Sequence, residues 1–160
     1  PSAVRDAAWN EYDAPGVMQY IVPGDARLSA LAAEFEEARG SAEEYRAFQR
    51  MFEAAMIRWV EGAEANGVES WAAFRARVSN AIQGIMAGPP SRKVAVFTSG
   101  GPIGFTVHCA FQAPPKTFLD VNWRVRNTSL TQFVFDRNRL TLDSFNAIPH
   151  LDEASLWTYR

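Results

Sequence analysis

From Leu28 onward, apolar positions recur with the 3.6-residue period of amphipathic helices. Asp25 can cap a helix in which Leu28, Leu31, Ala32 and Phe35 share a face, ending near Gly40. Ser41-x-x-Glu44 reads as a capping box for a second, longer helix. Its Tyr45, Phe48, Phe52, Ala55, Met56, Trp59 and Ala63 form a continuous one-sided stripe, predicted to be core and not a ligand box, and Asn66-Gly67 ends it. Ser70 or Glu69 opens a third helix with Trp71, Phe74, Val78, Ala81, Ile82 and Ile85 on one side, stopped by Gly88-Pro89-Pro90. Ahead of these, Pro1, Pro15, Gly16, Pro23 and Gly24 predict an irregular or partly extended segment over residues 1–24.

Beyond residue 90 the pattern changes. Lys93 to Phe97 is nearly all apolar, which suits a strand covered on both faces. A helix from about Pro102 to Phe111 follows, closed by Pro114 and Pro115. Residues 129–135 and 139–145 are β-rich runs divided by Asp136-Arg137-Asn138, a hairpin pattern. Helices alternating with strands predict a layered α/β domain.

Composition narrows the classes of function. With 160 residues, 48% hydrophobic and 21% charged, the chain has the balance of one soluble domain spanning 1–160, and it shows no internal repeat. The net charge is −2, and the arginines are scattered among acidic residues, so neither nucleic acid nor an anionic membrane is an expected partner. The single cysteine, Cys109, forms no internal disulfide and falls in an apolar stretch, which suits a reducing, cytoplasmic compartment and a buried small hydrophobe better than a nucleophile. No apolar run reaches the roughly 18 residues of a membrane span.

The most informative junction is Val94-Ala95-Val96-Phe97-Thr98-Ser99-Gly100-Gly101-Pro102-Ile103, a strand running through two glycines into a helix. Glycine lets backbone N–H groups approach a ligand, and a helix start offers unpaired donors with the positive end of its dipole. Pro102 fits the first helical position, where no N–H is needed. The junction is therefore a candidate anion site, with Ser99, Gly100 and Gly101 predicted to line the main polar pocket.

Around it stand Glu69-Ser70-Trp71-x-x-Phe74-x-x-Arg77-Val78, then Asn127-Thr128-Ser129-x-Thr131, then Phe145-Asn146-x-x-Pro149-His150-Leu151. In order and spacing these segments resemble the C-terminal two-thirds of the histidine phosphatase superfamily, the phosphoglycerate-mutase-like proteins. The resemblance implies a three-layer α/β/α domain and phosphoryl chemistry without metal or cofactor. Thr98-Ser99-Gly100-Gly101 stands where the family typically has Ser-His-Gly-Gly, so Ser99 replaces the second catalytic histidine. Trp9-Asn10-Glu11-Tyr12-Asp13 looks like the family's Leu-x-Glu segment, which makes Glu11 the candidate proton donor.

The family's Arg-His-Gly motif, carrying the phospho-accepting histidine, occurs nowhere in the chain, which starts at Pro1. The expectation is thus a domain lacking its first strand and helix, with an open slot in the sheet that needs that strand supplied elsewhere, a swapped partner in a homo-oligomer, or a rearranged sheet. The implied function is a phosphomonoester hydrolase or mutase relative acting on a phosphorylated small molecule. Its alternative is a non-catalytic relative that binds a phosphate ligand or a partner. A hydroxyl at position 99 can bond a phosphoryl oxygen but lacks the charge of an imidazolium, and such a loss costs about 3 kcal/mol in a transition state.

Other candidates read as structural. His108 lies on an apolar helix face, and His150 belongs to the C-terminal motif. Two histidines so far apart, without cysteine or carboxylate at ligand spacing, make a poor zinc site. A serine nucleophile elbow would require Gly-x-Ser-x-Gly, and Phe97 occupies its first glycine position. Arg124, Arg126, Arg137 and Arg139 alternate with apolar residues as exposed positions do, whereas Asn127 and Ser129 read as loop-orienting or strand-capping groups.

Overall fold

The computed structural model describes residues 3–159, so Pro1 of the leading segment lies outside the described residues. Among these, the chain forms helices α1 (Ala14–Tyr20), α2 (Ala26–Ala38), α3 (Glu44–Val60), α4 (Trp71–Met86), α5 (Gly100–Phe111) and α6 (Lys116–Asn122). Strands β1 (Leu130–Phe135) and β2 (Leu140–Ala147) pair antiparallel, with Phe133 opposite Leu142 and Phe135 opposite Leu140. The architecture is mixed α/β, as the alternation of patterns predicted. Two compact units are distinguished: Tyr12–Phe74, and the described residues up to Glu11 together with those from Arg75 onward.

The first unit is helical. The leading segment is more regular than predicted, because the Asp13 carboxylate accepts from the Gly16 N–H at 2.9 Å and Pro15 sits in the first turn of α1. Asp25 caps α2 as expected, accepting from Arg27 N–H at 3.0 Å and Leu28 N–H at 3.2 Å, and it also receives Arg58 Nε at 2.9 Å. The backbone bonds and Arg58 hold its carboxyl below the usual carboxylate range.

The capping box before α3 is rearranged. Ser41 Oγ accepts from Glu43 N–H at 3.2 Å, whereas Glu44 reaches past Ser41 to the Gly40 N–H at 2.8 Å. The helix also ends earlier than Asn66-Gly67. Gly62 takes φ +99°, the Gly62 N–H bonds Trp59 O at 3.0 Å and the Ala63 N–H bonds Arg58 O at 2.9 Å, which is a Schellman closure. Ala63 is therefore beyond the helix. The buried face of α3 is Ala47, Met51, Ala55, Met56 and Trp59, while Tyr45 is 72% exposed, so the aromatic stripe is core only in its second half.

Trp59 is the hub of this unit. Fully buried, it lies with its ring centroid 5.1 Å from that of Tyr12, 5.3 Å from Trp71 and 5.7 Å from Phe74. Its indole N–H donates to Glu69 O at 2.8 Å, so the one polar atom of the side chain is paired. Ser70 Oγ accepts from Ala73 N–H at 3.1 Å and starts α4.

The second unit is built on α5, where Gly100, Gly101, Pro102, Gly104, Phe105, Thr106 and Val107 are all buried. Helix α6 departs from the expectation that Pro114-Pro115 is simply a stop: Pro115 precedes its first turn, and Phe118 and Leu119 bury one side. A Cβ on Gly104 would lie 3.0 Å from Phe118 O and 3.2 Å from Asn122 N, so glycine is what lets the two helices approach. Asp136 makes the hairpin turn, its carboxylate accepting from Asn138 N–H at 2.7 Å and Arg139 N–H at 2.8 Å.

The strand expected at 93–97 does not form. Residues 92–99 have no regular secondary structure and, among the described residues, no backbone hydrogen bond to a neighbouring strand, and Phe97 is 96% exposed. A strand is defined by its partner, and the only ladder in the described residues is the one β1 and β2 make with each other.

Cys109 on α5 is half-buried, and burial pushes its thiol up to about 11, against the smaller opposing effects of Arg75 and a bond with Ser79. It has the environment of a packed hydrophobe. In the native protein at pH 7.5, Cys109 is expected to react with a chromogenic disulfide at least tenfold more slowly than in denaturant; equal rates would contradict its burial. Trp59→Ala is expected to cost about 3–5 kcal/mol in a urea titration. Gly104→Val is expected to cost about 1–3 kcal/mol by forcing α6 away from α5.

Candidate functional site

Helix α5 opens with Ser99 as its N-cap residue in extended backbone (φ −104°, ψ −179°), Gly100 and Gly101 as its first two residues and Pro102 as its third. Pro102 was expected at the first position; one turn covers both, since none of the first four N–H groups has an intrahelical acceptor. The Ser99 hydroxyl makes no capping bond, although serine is among the best N-caps. The donor it would satisfy is taken elsewhere: the Gly101 N–H donates to Glu11 Oε2 at 3.1 Å.

Two residues singled out for different roles, Glu11 and the Ser99–Gly101 turn, are thus brought together from positions 90 residues apart. A carboxylate at a helix start is the arrangement that the exposed donors and the helix dipole favour. It marks the turn as a place that accepts negative charge.

Glu11 is delivered by a well-tied segment. Asp6 caps a short 3₁₀ turn over Ala7–Trp9, accepting from Ala8 N–H at 2.9 Å. Arg77, half-buried on α4, donates through one terminal nitrogen to Ala8 O at 2.9 Å and Asn10 O at 2.7 Å, and through the other to Glu11 O at 3.3 Å. Thr98 Oγ1 donates to Trp9 O at 2.6 Å. Arg77 was legible only as part of a motif. Its signal is a single arginine on the otherwise apolar side of a helix, beside Phe74 and Val78.

The other candidates fall away from this turn in their bonding. His108 on α5 is lowered below the usual imidazole range by burial, opposed by a backbone bond at Pro114. His150 is exposed, with Nε2 3.0 Å from Thr128 Oγ1. Asn127 bonds Thr158 and Tyr159 in the C-terminal tail, and Arg126 stacks 4.9 Å from the Trp157 ring centroid. Asn146, in left-handed backbone (φ 59°) and 9% exposed, accepts from Arg126 N–H at 2.8 Å and donates to Arg124 O at 2.6 Å. The motif around it is a stitch between β2 and residues 124–126.

Ser99, Gly100 and Gly101 stand at the start of α5, with the Glu11 carboxylate on the Gly101 N–H. Two surface depressions of the first unit are lined by Glu64, Asn66, Glu69 and Ser70, and by Phe35, Ser41, Tyr45 and Phe48. Among the described residues, no group of three or more His, Cys, Asp or Glu is placed to hold a metal ion. No helix among them is long and apolar enough to cross a membrane.

No curated protein and no solved structure matches the chain significantly. The family model of the histidine phosphatase superfamily (branch 1) matches residues 29–148, which include Arg77, the Ser99–Gly101 turn and the hairpin but not Glu11. That span is well over half of the sequence, and the mixed α/β architecture agrees with a phosphoglycerate-mutase-like domain: the chain belongs to the histidine phosphatase superfamily.

Proposed function

We propose that this chain is a single phosphate-handling domain of the phosphomonoester hydrolase or mutase type, in which the start of α5 receives phosphoryl oxygens and Glu11 is the acid beside them. The observation that carries this reading is the Glu11 carboxylate on the Gly101 N–H at 3.1 Å. A phosphoryl oxygen makes the same demand as a carboxylate oxygen, namely an N–H donor and a positive dipole end. A group that protonates a leaving alcohol must lie within hydrogen-bond reach of the phosphoryl site, and Glu11 meets that requirement through the donor it shares.

Ser99 takes the place of the second histidine, contributing a neutral hydroxyl. Its hydroxyl makes no capping bond to α5, so bonding a ligand does not compete with a helix cap. Histidine-based transfer also needs an imidazole nucleophile, and neither His108 nor His150 is bonded to this turn. That shortfall favours a second reading, a non-catalytic relative in which the turn binds a phosphate ligand or a partner. The ligand is a phosphorylated small molecule or phosphate, with a partner admitted by the second reading, and a cytoplasmic setting suits the lone, half-buried Cys109.

These residues alone are expected to hydrolyse a generic aryl phosphate at no more than the buffer rate, because the phospho-accepting histidine is absent; turnover abolished by Ser99→Ala would reveal another nucleophile and overturn the assignment. Inorganic phosphate titrated into ¹⁵N-labelled protein is expected to move the Gly100 and Gly101 amides. Glu11→Gln removes a competing like charge and is expected to tighten phosphate roughly tenfold, equivalent to about 1.4 kcal/mol. If these amides stay in place in Glu11→Gln at millimolar phosphate, the site does not take phosphate.

A further inference from the structure

We infer that Arg77 is a positioning residue for Glu11, fixing the backbone that aims its carboxylate at the start of α5. This rests on the reading of Glu11 as the group serving that turn. Four consecutive carbonyls are held from outside the segment: Ala8, Asn10 and Glu11 by the Arg77 guanidinium, and Trp9 by the Thr98 hydroxyl. A segment of only one 3₁₀ turn has little internal hydrogen bonding to define its path. The two side chains supply that definition.

The geometry requires arginine in particular. A guanidinium presents five donors in a rigid plane, so two nitrogens can collect three carbonyls at 2.7–3.3 Å with little rotamer entropy lost per bond. A lysine ammonium at the same position keeps the charge but is a single point on a flexible stem, without the fork. The two anchors also converge on one place. Thr98 precedes the α5 N-cap by one residue, so the segment that holds Trp9 is the segment that leads into Gly101. A shift of the Ala8–Glu11 backbone therefore moves the Glu11 carboxylate relative to the N–H it binds.

The test reads the contact itself. In ¹⁵N-labelled protein the Gly101 amide proton, donating to a carboxylate, is expected well downfield, and Glu11→Gln is expected to move it upfield. Arg77→Lys and Arg77→Gln are expected to reproduce that upfield movement while the amides of α6 and the β1–β2 hairpin keep their positions. If Gly101 moves in Glu11→Gln but stays at its wild-type position in both Arg77 variants, the positioning role is overturned. If it fails to move in Glu11→Gln, the carboxylate contact is not made in solution and the inference falls with it. Should Arg77→Gln not fold, Arg77→Lys and Thr98→Val carry the same reading, Thr98→Val being expected to give a smaller movement in the same direction. Phosphate titration of Glu11→Gln, in which Arg77 is intact, scores the functional reading separately: silence there, with Gly101 responding to Arg77→Lys, removes the phosphate site and leaves the positioning role.

Discussion

The helix start at Gly100 and Gly101 has donors that its own sequence does not satisfy, and the organisation around it follows from that need. Ser99 stands at the N-cap without capping, and the Glu11 carboxylate supplies the acceptor from a distant part of the chain. For the carboxylate to arrive there, its segment must be held, and Arg77 and Thr98 hold it. For α5 to present its start in a fixed place, its body must be packed, which Phe105, Val107 and the Gly104 contact with α6 accomplish. Burying a donor unpaired costs on the order of 1–3 kcal/mol, enough to make this one contact worth several supporting bonds.

Local signals were legible in the sequence because their partners lie within a few residues. Asp25 before α2, Ser70 before α4 and Asp136 in the hairpin each satisfy backbone N–H groups two or three positions away, and their residue types announce it. The pairing of Glu11 with the α5 turn was only half legible. Each end resembled something functional, but nothing in the spacing states that they meet. Arg77 was opaque for the same reason, since its acceptors are backbone carbonyls, which carry no sequence identity.

The misreadings have specific physical causes. The stripe on α3 weighed Tyr45 and Phe48 as core by residue type, whereas the buried face is displaced toward Ala47 and Met51. Gly62 ended the helix through a positive φ that outweighs the apolar Ala63 just beyond it. At 93–97 apolar composition suggests a strand where none forms, because pairing is a property of two segments. Asn146 illustrates the converse case: a residue read as part of a family signature turns out to be a buried polar stitch, with both ends of its amide used.

The tie between Arg77 and the leading segment also bears on the order in which the protein assembles. Its bonds join residues 66 to 69 positions apart, and the Glu11 contact spans 90, whereas the hairpin turn closes over 3. Chain-closure entropy grows only logarithmically with length, but it must be met before any of these bonds can form. The hairpin turn thus has the shortest closure of these contacts and the segment carrying Glu11 the longest. Once docked, the segment is tied from outside at four consecutive carbonyls and at the Glu11 carboxylate, so lifting it off breaks these bonds together. Freeing the Gly101 N–H by that route is therefore a cooperative event, coupled through one arginine and one threonine to the path of the whole Ala8–Glu11 backbone.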